Sequence, residues 1–180
     1  MESSTFVNEN SLTLPAWTIK SITVQAALLV SAAFLLPAAV HSTGLPVRLL
    51  LPMHWPVLLV GLCYGWRAGV LVGLAAPGLS FLISGHPLPH ILPAMTLELG
   101  AYGLLAGLFR EKFRLNGFFA TALALVGGRM LFIAFVFATV AVATPFAEYL
   151  WAAMLPGIPA AIAQIVLLPI LAKWWVSREQ

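Results

Sequence analysis

Glu98 and Arg129 are charged residues set inside long apolar runs, and that placement gives them chemical weight. A charge at membrane depth is costly unless it is paired or hydrated. Glu98 stands seven residues past Ile91, where its apolar segment begins, so it would lie roughly 10 Å deep at 1.5 Å per helical residue. Arg129 follows Gly127 and Gly128 near the middle of the next run, and its long side chain can reach the same level. Three chemistries suit such a pair: a structural ion pair, contact with a polar ligand in a cavity, or a proton relay.

Histidines cluster nearby in sequence. His54 stands between Pro52 and Pro56, whose rings remove backbone donors and leave carbonyls free to line a cavity. His86 and His90 bracket a turn with two prolines, and His41 is expected at an interface. Three histidines on one face would suit ligand contact or the membrane interface. Zinc motifs use tighter helical spacing, so no metal site is expected.

Other chemistries are excluded. Ser80 invites comparison with an intramembrane serine protease, but all four histidines precede residue 91 and none lies in a later span to act as its base. The chain has no aspartate, which removes aspartyl dyads and Asp-x-x-Asp metal motifs. Cys63 is the single cysteine, so there is no intramolecular disulfide. No catalytic residue, no intrinsic cofactor and no Walker motif is expected, and hence no ATP hydrolysis by this chain. A formal charge of +3, widely dispersed, does not make a nucleic-acid surface.

The elements that must position these residues are membrane helices. Of 180 residues, 61% are hydrophobic and 8% charged, against about 25% charged in soluble domains. At ~20 residues per crossing the length allows about six helices in one domain. The expected spans are 19–39, 52–64, 68–84, 91–109, 117–143 and 150–174. The second is short and broken by proline at its start, and the sixth is kinked by Pro156, Pro159 and Pro169. Residues 1–18 read as a cytoplasmic tail without a signal peptide, 19–175 as the transmembrane domain, and 176–180 as a second tail.

The cluster Arg110-Glu111-Lys112-Phe113-Arg114 fixes orientation by the positive-inside rule. These charges are topogenic, with docking of an acidic partner as the alternative. Counting crossings from there places Lys20, Arg67, Lys173 and Arg178 inside, which gives an N-in/C-in, all-α bundle. The six tryptophans fall near span ends as an interfacial belt, with Trp55 and Trp151 at the outer rim where a ligand would enter. Gly61, Gly65, Gly69 and Gly73 recur every four residues across a tight turn, and Ala27-x-x-x-Ser31 is similar. Small residues let helices approach in lipid, so these are seams within the bundle or a smooth face for a partner.

The order Leu51-Pro52-Met53-His54-Trp55-Pro56 through Gly61, Gly69-x-x-x-Gly73, Pro77, the proline-rich loop, and Pro93-Ala94-Met95 leading to Glu98-Leu99-x-x-Tyr102-Gly103 resembles the S component of energy-coupling-factor (ECF) vitamin transporters. The similarity covers about residues 48–110. It implies a six-helix subunit of a bacterial cytoplasmic-membrane importer that binds a vitamin or precursor from outside. It also implies a shared module of one scaffold subunit and two cytoplasmic ATPases, whose ATP hydrolysis topples the subunit and releases substrate inside. In such subunits an Ala-x-x-x-Ala-like face on the first helix meets the scaffold, which Ala27 and Ser31 match with one change. The implied ligand region contains Glu98, Tyr102, Arg129, Trp151 and Gln164, with His54, His86 and His90 in or near a lid. Pocket charges of both signs would suit a zwitterion or a carboxylate-bearing molecule. The competing readings are a non-transporting six-span protein of the cell-shape type and a stand-alone proton-coupled transporter with Glu98 as carrier.

Overall fold

The computed structural model describes residues 12–44, 47–139 and 145–180, and among these every regular element is helical. Helix α1 spans Ile19–Ser42, three residues past the expected end. Thr18 opens it, its hydroxyl accepting from the Ser21 N–H at 3.1 Å. Midway, Ser31–Leu35 winds as a π-helix, a local widening that recurs at functional sites. The single turn α2, Val47–Leu50, leads to Leu51, whose φ of 47° is left-handed and strained for a side chain of that size.

Helix α3, His54–Tyr64, has 11 residues and rises only about 16 Å, roughly half a hydrocarbon core. Met53 and His54, at its start, are buried against the rest of the protein. Gly65, at φ 85°, reverses the chain into α4, Trp66–Ser84. Then follow α5, Leu92–Glu111, and α6, Gly117–Thr139. Residues 140–143, expected to finish the fifth span, lie outside the described residues.

The expected sixth span is two helices. α7, Phe146–Met154, and α8, Ile158–Glu179, are separated by a 3-10 turn at Leu155–Gly157. Pro156 and Pro159 sit at the starts of the turn and of α8, where a missing N–H costs nothing. They mark a 3-10 turn within one apolar helical stretch, 147–179, and Pro169 lies inside α8. Among the described residues five helical stretches are long and apolar enough to cross a membrane, and α3 is a shorter apolar helix.

Helix α5 is central, packed against α3, α4 and α6. Its contact with α3 and α4 is made by small residues. Gly61, Gly65, Gly69 and Gly73 are all buried in this seam, where a Cβ on Gly69 would strike the Gly103 carbonyl and one on Gly73 the Leu99 carbonyl. The glycine ladder is thus an internal seam and offers no face to a partner, which corrects that part of the expected interface. On α1, by contrast, Ala27 is exposed and Ser31 half-buried.

The termini are less tail-like than expected. Leu14 is buried and its N–H donates to the Cys63 carbonyl at 2.7 Å, while the Gln25 amide donates to the Ala16 carbonyl at 2.7 Å. Lys20 pairs with Glu179, and the Trp66 N–H donates to Glu111 Oε2 at 3.3 Å. These contacts gather the starts of α1 and α4 and the ends of α3, α5 and α8 at one end of the bundle. The same end carries Arg67, Arg110, Lys112 and Arg114.

Candidate functional site: a buried ionic cluster beneath a histidine-lined cavity

Helix α5 presents Glu98 and Tyr102 one turn apart on one face. The Tyr102 hydroxyl donates to Glu98 Oε1 at 2.6 Å, a short bond of the charge-assisted kind, and both residues are almost fully buried. Gly128 on α6 explains how the neighbouring helix comes so near. A Cβ there would collide with the Tyr102 ring. With no Cβ, α6 closes on α5 and the next residue, Arg129, places Nη1 at 3.1 Å from Glu98 Oε1. Of the three arrangements open to these two residues, the structure shows an ion pair that also borders a cavity.

His54 enters from the start of α3. Its ring centroid lies 4.9 Å from that of Tyr102, and its Nε2 is 4.0 Å from Glu98 Oε1, too far for a hydrogen bond. Both ring nitrogens are buried without a partner among the described residues. Buried polar atoms are nearly always satisfied, so an imidazole without a protein partner beside a carboxylate is a candidate binding group.

Above this cluster lies a cavity of about 940 Å³ at the end of the bundle away from Lys20 and Glu179. All four histidines of the chain line it, together with Glu98 and Arg129. His54 is at the floor; His41 and His86, rings 6.2 Å apart, stand with His90 toward the rim. The walls are largely apolar, and the guanidinium carbon of Arg129 lies 5.4 Å from the Phe132 ring centroid. A concave, mostly apolar chamber with a few convergent polar groups is the ordinary form of a small-molecule site.

Not every expected residue joins it. Tyr102 lies beneath the floor and acts on Glu98 rather than on the cavity. Trp151 is 61% exposed and outside the lining. Gln164 is fully buried within α8, its amide without a partner among the described residues and likewise outside the lining. Conversely His41, read as merely interfacial, and Tyr149 belong to the wall. The signal for His41 was helix length: α1 continues through it to Ser42.

Ser80 also lines the cavity, but His54 makes no hydrogen bond to it, so no nucleophile–base pair forms. Among the described residues no three His, Cys, Asp or Glu side chains gather as a metal site.

A family model described as ECF transporter, substrate-specific component, matches residues 20–173. No curated protein and no solved structure matches the chain. The matched stretch contains the whole ionic cluster and every residue of the cavity wall. By that match the chain belongs to the family of substrate-specific components of ECF transporters.

Proposed function

We propose that this chain captures a vitamin or vitamin precursor from outside a bacterial cell and delivers it through a shared ECF module of one scaffold subunit and two ATPases. Family membership supports the substrate-binding role. The carrying observation is the Glu98–Arg129–Tyr102–His54 cluster at the floor of a cavity large enough for a vitamin-sized molecule. A structural ion pair alone needs no such chamber above it.

The proposed membrane arrangement is six-span and N-in/C-in, with the short α3 as the second span. The basic residues at the end opposite the cavity support it, because such charges remain in the cytoplasm. The cavity then faces outward. The exposed Ala27 and half-buried Ser31 on α1 form the proposed scaffold contact. Trp151 and Gln164 are kept as proposed ligand contacts only if the ligated protein repositions α7 and α8.

Reconstitution into liposomes with an ECF module tests the reading. ATP-dependent accumulation of a labelled vitamin, lost when the ATPases are omitted, is expected. Accumulation driven by a proton gradient without ATPases contradicts it and favours a stand-alone transporter.

A further inference from the structure

Charge inventory narrows what the cavity takes. The groups that face Glu98 are Tyr102 on its own helix, Arg129 from α6 and His54 from α3, while α4 contributes only the uncharged Ser80 and Ser84. Farther out, His41, His86, His90 and Tyr149 complete the titratable lining. Glu98 and Arg129 are therefore the acid and the guanidinium of the lining, and they face each other.

They are not equally available. The Arg129 side chain retains 16% exposure against 3% for Glu98, whose Oε1 is already held by the Tyr102 hydroxyl. A guanidinium has five donors, and its contacts with Glu98 and Tyr102 leave others for the cavity it lines. A guest arriving from the rim meets cationic donors first, and a carboxylate matches their fork. An ammonium would meet a carboxylate that is only 3% exposed and already holds the Tyr102 hydroxyl and Arg129 on Oε1.

A carboxylate taken up at Arg129 leaves two anions and one cation in a place of low dielectric, which is unfavourable without a further positive charge. His54 is in position to supply it. Its two nitrogens are free of other bonds, and its Nε2 needs about one ångström of movement to bond Glu98.

We propose that the site takes a carboxylate-bearing ligand by exchange of ion pairs: the ligand carboxylate takes Arg129, Glu98 turns to His54, and one proton enters the site from water. The balance is complete. Before binding, Arg129 and Glu98 face each other; afterwards Arg129 faces the ligand carboxylate and Glu98 faces the imidazolium. The proton is bound only in the complex, so affinity falls as pH rises. This rests on the ligand-binding role proposed above.

The test uses full-length protein in detergent and a panel of organic acids with uncharged counterparts: nicotinate with nicotinamide, biotin with biotinamide, and pantothenate with panthenol, plus β-alanine as a zwitterion. These carboxylates stay ionised between pH 6 and 8, so the slope reports the protein. An acid should bind far better than its counterpart, with the dissociation constant rising about tenfold per pH unit. Calorimetry in two buffers of different ionisation enthalpy should report uptake of one proton. Glu98→Gln should flatten the slope while tightening acid binding, since Arg129 loses its competitor; His54→Gln should also flatten it.

A slope of zero in the wild type, or preference for the counterparts or β-alanine, overturns the exchange. So does failure of every acid to bind. Where the protein still carries a labelled neutral vitamin in ATP-driven uptake, only the exchange falls. Where it carries nothing, the transport reading falls with it.

Discussion

Glu98 and Arg129 meet through one oxygen and one nitrogen, 3.1 Å apart, at the floor of a cavity that both residues line. Glu98 is buried and Arg129 half-buried, so removing the guanidinium strands a buried carboxylate. Breaking a buried pair costs about 3–5 kcal/mol. Arg129→Ala should therefore lower the unfolding free energy by about 3 kcal/mol. The double variant Glu98→Gln/Arg129→Ala should recover part of that loss. Unfolding in detergent measures both, and a double variant weaker than the single one contradicts the pairing.

Tyr102→Phe isolates the hydrogen bond from the ring. The aromatic packing on Gly128 and His54 is kept, while the 2.6 Å bond to Glu98 is lost. A hydrogen bond to a charged group is worth about 1.5–3 kcal/mol, so a loss near the lower end is expected. A variant as stable as wild type in the same unfolding measurement contradicts the geometry.

Two glycines in α4 should respond in opposite ways. Gly69→Ala puts a methyl into the Gly103 carbonyl and should destabilise by about 1–3 kcal/mol through overpacking. Gly78→Ala meets nothing within 4 Å and should stabilise by about 0.5–1 kcal/mol, because alanine is the better helix former. Equal responses in a thermal melt sink the assignment of the ladder to an internal seam.

The membrane class was legible in the sequence, and so was the comparable depth of Glu98 and Arg129, because a charge in hydrocarbon needs a partner or a cavity. The rest depended on contacts between distant elements. The glycine ladder read equally as seam or surface until α5 was seen lying on it. The division between α7 and α8 was hidden because proline signals both kinks and helix starts. His41, expected at an interface, also borders the cavity, and Trp151, placed near the site by its rim position and by the resemblance, is exposed outside the lining.

Gln164 provides a check on the boundary of the site. Its buried amide has no partner among the described residues, and replacing an unsatisfied polar group by an apolar one of similar size is neutral or stabilising. Gln164→Leu should melt no lower than wild type and should still bind. If binding disappears while the fold persists, Gln164 contacts the ligand and the floor of the site extends into α8.

The central claim is that a small molecule sits above Glu98 and Arg129. The most direct measurement is to incubate wild type, Trp151→Ala and Arg129→Ala with a total small-molecule extract, wash, denature, and identify what is released by mass spectrometry. The account predicts one molecule, near one per protein, from wild type and from Trp151→Ala, and at least about 100-fold less affinity for it in Arg129→Ala. Equal release from Arg129→Ala, or none from wild type, would contradict it.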